Sequence, residues 1–417
     1  MADMTRTAII GSGITGLGAA YILDSVRDVV VYEAAERLGG HTNTVIANDP
    51  QNGPISIDTG FIVHNDRNYP NLVRLFDELG IERQDSEMSF GVHDPEAGIS
   101  YRATNPRTLL ASPSNILRSG YWRMLRDIPR FWRDANRYLN HPDQKLSLGA
   151  FLRNNNYSRE FIDWHLIPMG AAIWSSDPTT FDDFPLISLL TFLRNHGLLG
   201  LGDRPQWRTV TGGAKRYVEA IEDRLQAEFH RSSPVHRVQR MANGIEVSSP
   251  AGTEVFDEVI IACHTDQALD MLVDAQPNEK EALGAIRYQP NIAVLHTDTS
   301  VLPPARQAWS AWNYHMVPNA AAPTVTYDLT RLQRLPGSRR YLVSLNLDHL
   351  IDETTVLGRF HYSHPVFDQP ALDAQVQLDH FNGQGGVYFG GAWAGYGFHE
   401  DGFCAAIRIC DKMGVRW

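Results

Sequence analysis

Residues 8–42 read AIIGSGITGLGAAYILDSVRDVVVYEAAERLGGHT, and this stretch constrains the fold more than any other. Thr7–Ile10 is a short apolar run of the kind that forms a central parallel strand. Gly11, Gly13 and Gly16 follow as GxGxxG. Gly11 permits a tight turn, Gly13 lets backbone approach a pyrophosphate, and Gly16 allows close helix–sheet packing. The turn and first helical residues, Ser12, Ile14 and Thr15, offer free N–H groups at a positive helix end. A second apolar run, Val29–Tyr32, ends at Glu33–Ala34, about 20 residues after the glycines, where an acid meets an adenosine ribose. A carboxylate there accepts from free hydroxyls and repels a 2′-phosphate. Strand, turn, helix, strand and acid in register predict a dinucleotide site.

Length and composition set the frame. A chain of 417 residues with 43% hydrophobic content can bury a large core in two or three domains. A formal net charge of −11 argues against nucleic-acid binding, which needs Lys and Arg to meet phosphates. Cys263, Cys404 and Cys410 form no CxxC pair, so no disulfide framework is expected. The apolar start is too short for a signal peptide. No 18-residue apolar window is present. The expectation is a cytoplasmic protein.

The segment after Glu33, ERLGGHTNT, holds Arg37, Gly39, Gly40, His41, Thr42 and Thr44. It resembles the extended fingerprint of the flavin-containing amine oxidase and phytoene desaturase superfamily, which implies FAD as the cofactor. The resemblance implies that the second glycine pair lies along the pyrophosphate and ribityl chain and that Arg37 neutralises phosphate. His41 stands where members usually carry Arg. ISIDTGFIV (55–63) is similar to the strand that brings a backbone glycine, here Gly60 followed by Phe61, against the flavin ring. TVTGGAKRYVEAIEDRL (209–225) resembles the return to the FAD domain, and a strand at Val235 is implied to touch adenine. VYFGGAWAGYGFHEDGF (387–403) is similar to the last match, with Gly391 and Ala392 at the turn and a helix beginning near Glu400 aimed at the flavin. Ala392 replaces the acid usual in that turn. GFHEDGF and FHYSHPVFDQPALDAQ (360–375) resemble a bacterial subgroup found beside cyclopropane fatty-acid synthase genes, which implies lipid chemistry by association.

The expected fold is therefore α/β: a Rossmann-like FAD-binding domain over 1–70, 205–270 and 380–417, with a discontinuous substrate domain of antiparallel sheet plus helices over 71–204 and 271–379. Phe398 and His399 are the candidate catalytic residues, beside Tyr396 and Trp393. His361 and His364 give HxxH without an acidic third ligand, so no metal is expected. Asn291 stands where amine oxidases of the family carry a lysine. Residues 116–139 form a basic aromatic stretch that Pro129 should kink or split. It can lie on an anionic membrane surface or be an ordinary helix with snorkelling arginines. The expected activity is hydride transfer from an apolar, acyl-lipid or other small-molecule substrate to FAD. An amine oxidase producing peroxide, an NAD(P)H-dependent monooxygenase and a non-catalytic flavoprotein remain open.

Overall fold

A computed structural model describes residues 4–142, 145–202, 204–318 and 320–417, apart from the side chain of Pro106. Strand β1 (Arg6–Ile10), helix α1 (Ile14–Leu23) and strand β2 (Asp28–Tyr32) form the expected unit. β1 is the centre of a five-stranded sheet, flanked by β2 and by Glu258–Ile261, with Glu228–His230 and Val387–Phe389 outside them. All four pairings are parallel. The central strands are buried on both faces, so they read as unbroken apolar runs rather than alternating ones.

α1 is buried along nearly its whole length. It packs against the helix His399–Lys412, with Gly18 lying where a Cβ would come within 2.5 Å of the Phe403 ring. Thr15 Oγ1 also donates to the carbonyl of Gly402 at 2.8 Å. Residues nearly four hundred positions apart thus share one wall.

A second, seven-stranded sheet contains Phe90–Asp94, Ile99–Arg102, Trp312–His315, Val325–Asp328, Leu342–Leu345, Tyr288–His296 and Val356–Pro365. It is antiparallel except where Trp312–His315 runs beside Phe90–Asp94. Its core joins the aromatic helices between Ser119 and Asn195.

Two local expectations are corrected. Ser119–Asn140 is one continuous helix across Pro129, so the stretch is not split there. Proline removes a single backbone bond there, while Tyr121, Met124, Phe131 and Ala135 stay buried on one face. Val235 lies in irregular chain before the strand Arg237–Met241, because Ser232 and Ser233 spend their N–H groups on the carbonyls of Ala35 and Glu33. No helix among the described residues is long and apolar enough to cross a membrane.

Candidate active site

One cavity of about 1480 Å³ runs from the first glycine turn to the aromatic helices. That exceeds the roughly 300–1,000 Å³ of a single small-ligand pocket, so it has room for a dinucleotide and a second molecule.

The turn is built by exclusion. Gly11 has φ +99°, a left-handed conformation that glycine adopts without strain. A Cβ on Gly16 would lie 1.8 Å from the carbonyl oxygen of Gly11, whereas one on Gly13 would meet no protein atom within 4 Å. Gly13 is the N-cap of α1 and leaves its side open to the cavity. The second glycine pair folds onto this turn: Gly39 N–H donates to the carbonyl of Ser12 at 3.0 Å, and Gly40 sits 3.1 Å, Cβ position to Cα, from Gly13. Glu33 lines the cavity and accepts from Ser12 N–H at 2.9 Å, from Ser12 Oγ at 2.5 Å and from Ala35 N–H at 2.8 Å.

Of the residues singled out from sequence, Gly11, Ser12, Gly13, Ile14, Thr15, Glu33, Ala34, Gly39, Gly40, His41, Gly60, Phe61, Val235, Gly391, Ala392, Phe398 and His399 line this cavity. Gly16, Arg37, Thr42 and Glu400 do not. Gly16 packs behind the turn. Arg37 is exposed and donates to the carbonyl of Thr42 at 3.0 Å. Glu400 faces away: its carboxylate accepts the N–H of Asn71 (3.0 Å), the N–H of Leu72 (2.9 Å) and the amide of Asn71 (2.7 Å). It caps helix α2 (Pro70–Leu79).

Midway along the cavity, His399 stacks on Phe61 with ring centroids 3.7 Å apart and planes at 13°. Its Nε2 lies 2.9 Å from Thr42 Oγ1 and 3.2 Å from Tyr217 Oη, and those two oxygens are 2.5 Å apart. Burial pushes the imidazole down to about 3, so it is neutral at ordinary pH. Phe398 packs on Phe192 and Trp174 and forms part of the wall with Ile173 and Tyr396.

Sequence reading missed a cluster that assembles from distant segments. His41 stacks on Tyr362 (5.0 Å) and lies 5.4 and 6.1 Å from His364 and His264, all ring centroid distances. Tyr362 Oη is held by Thr59 Oγ1 (2.9 Å) and the Asn43 amide (3.1 Å). Asn291 is buried beside this cluster and bonded to it.

The model of flavin-containing amine oxidoreductases matches residues 14–413. The chain belongs to the flavin-containing amine oxidoreductase family. Members of the family use FAD. Its sequence is 21% identical over 311 residues to an L-amino-acid oxidase from Pseudechis australis, covering 70% of this chain and 57% of the relative. It is 27% identical over 265 residues to the putative flavin-containing monoamine oxidase AofH of Mycobacterium tuberculosis (strain ATCC 25618 / H37Rv), covering 61% and 56%. The alignments thus span little more than half the length of these curated relatives. Among solved structures, a CLA-producing fatty acid isomerase from P. acnes superimposes with TM-score 0.70 at 15% identity over 100% of both chains. At that identity the likeness concerns the fold. The donor set here fits the family's dinucleotide: an open Gly13, a helix N-terminus facing the cavity, and the Glu33 carboxylate beside them.

Proposed function

We propose that this family member is an FAD-dependent oxidoreductase that removes a hydride from an apolar, acyl-chain-bearing substrate. The observation that carries the reading is the character of the cavity beyond His399. There Leu109, Ile128, Trp132, Met169, Ile173 and Phe192 line the wall. The three carboxylates among the described cavity residues are placed elsewhere or already partnered: Glu33 is bonded within the glycine turn, Glu87 pairs with Arg331 (3.0 Å) and Arg102, and Asp270 is exposed on the helix Thr265–Met271. No free buried carboxylate among the described residues awaits an ammonium group. Each methylene taken into such a wall gains about 0.8 kcal/mol.

FAD supplies the hydride acceptor when bound. The protein's part is to bind, orient and exclude water. Glu33 takes hydrogen bonds from ribose hydroxyls, and the first N–H groups of α1 take the pyrophosphate. Neutral His399, held by Thr42 and Tyr217, would add no positive charge of its own beside a bound flavin, so a favourable field there would come from the N-terminus of the helix that it begins. A charged head group on such a substrate would meet an arginine at the cavity. Arg123 and Arg133 pair with Glu160 and Asp134, while Arg204 is the one arginine among the described cavity residues.

The test is anaerobic. Oxidised protein is mixed with unsaturated or cyclopropane acyl lipids and, separately, with simple amines, and the flavin absorbance is followed. Bleaching by lipids is expected. Rapid bleaching by amines with none by lipids would establish an amine oxidase instead.

A further inference from the structure

The polarity of four backbone groups dictates which nitrogen of His364 carries a proton. Asn346 is fixed first. One end of its amide donates to the carbonyl of Pro323 (2.8 Å), and the other accepts the N–H of Ile292 (3.0 Å). A carbonyl can only accept and a backbone N–H can only donate, so this amide cannot be reversed. Asn346 therefore donates to Asn291 at 2.8 Å, which makes the receiving atom Oδ1. The other end of Asn291 must be its NH₂. The carbonyls of Gln289 (3.1 Å) and Ser175 (3.3 Å) beside it agree. That NH₂ lies 3.0 Å from His364 Nδ1. An amide nitrogen has no lone pair to accept with, so Nδ1 is the acceptor and the ring's proton sits on Nε2.

Asn346 holds this place at φ +57°, a conformation uncommon outside glycine and most tolerated by asparagine and aspartate. Such conformations persist where surrounding contacts over-determine them. His364 lines the cavity, and no protein group among the described residues bonds its Nε2. Burial holds the ring down to about 4, so it stays neutral and keeps a single N–H. His41 beside it has a buried Nε2 with no partner.

We propose that His364 is a tautomer-locked hydrogen-bond donor that recognises an acceptor oxygen brought into the cavity, with Asn291 and Asn346 as its positioning residues. The acceptor is a carboxyl or carbonyl oxygen of the substrate, or a ring carbonyl of FAD. This rests on the cavity being the substrate and cofactor site proposed above. A neutral N–H donor gives nothing to an ammonium group, which has only hydrogens to offer. The device therefore selects against protonated amines.

Two measurements on the purified protein test this. The first is long-range ¹H–¹⁵N correlation of ¹⁵N-histidine-labelled protein at pH 7, with His364 identified by its loss in His364→Phe. A proton on Nε2 and none on Nδ1 is expected. In Asn291→Asp the carboxylate demands a donor, and the proton should move to Nδ1. A proton on Nδ1 in the unaltered protein, or an imidazolium, overturns the proposal. Because this readout needs no ligand, it survives even if the protein proves unable to hold FAD, which would defeat the functional reading alone. The second compares decanoate and n-decylamine binding by calorimetry, together with FAD retention. If the acceptor belongs to the substrate, His364→Phe weakens decanoate about tenfold and leaves decylamine and FAD unchanged. If it belongs to FAD, retention falls and decanoate does not respond. No change in either overturns the proposal.

Discussion

Gly13 and Gly16 lie three residues apart and would respond to a side chain in opposite ways. A Cβ at Gly13 projects into open cavity, while one at Gly16 collides with the Gly11 carbonyl at 1.8 Å. Gly13→Val should therefore fold with the thermal midpoint of the FAD-free unaltered protein and lose its yellow colour, since the methyls fill the space a pyrophosphate needs. Gly16→Val should fail to accumulate as folded protein or melt far earlier, because the turn itself must open. Absorbance at the flavin band and circular dichroism on both variants check the pair. A yellow Gly13→Val would remove the basis for placing the dinucleotide here. The glycine turn was legible in sequence because its residues are neighbours, and spacing carries the signal. The His41–His264–His364–Tyr362 cluster was not, because three segments meet there only after the two sheets are assembled. HxxH at 361–364 marked the right strand but suggested only a metal question. Alternation along Val356–Pro365 instead sends Tyr362 and His364 to the same face.

At the scale of elements, Glu400 was expected at the cofactor and instead ties α2 to the helix His399–Lys412. Sequence marks it as a first-turn acid of its own helix, but nothing local shows that a helix over three hundred residues upstream lacks a cap. Tyr69, the N-cap of α2, gives it no side-chain bond. Glu400→Ala leaves two backbone donors and one amide without their buried acceptor, and should cost about 2–4 kcal/mol. Glu400→Gln should cost about half as much, because it keeps an acceptor. Urea midpoints give the magnitude. FAD retention should remain unchanged in both folded variants, and a loss of FAD at unchanged stability would return Glu400 to the cofactor site. The Pro129 helix teaches the same lesson from the other side. A local breaker signal was overridden by a buried apolar face that continues on both sides of it.

Across the whole molecule, burial of histidines predicts sensitivity to acid. His41, His64, His165, His296, His364 and His399 all have desolvation as the leading cause of a lowered value, with His64 and His399 pushed down to about 3. Between about pH 6.5 and 3 the unfolded chain thus binds more protons than the folded one, and stability falls as pH drops. Asp58 and Asp401, pushed up by burial to about 7 and about 6, act in the opposite direction. Six groups outweigh two at roughly 1.4 kcal/mol per group per pH unit. The urea midpoint should be lower at pH 5 than at pH 7.5, and an equal or higher midpoint at pH 5 would show that these histidines are not held neutral.

The contact between α1 and the helix His399–Lys412 also governs events on the ribosome. α1 is apolar on nearly every side, and at Gly18 it packs against Phe403 and Ala406. At about 5–20 residues per second, that cover emerges roughly 20–80 seconds after α1 itself. During that interval the nascent chain carries an exposed apolar helix and an incomplete dinucleotide wall. A chaperone bound near the β1–α1–β2 unit would act at the moment of greatest exposure.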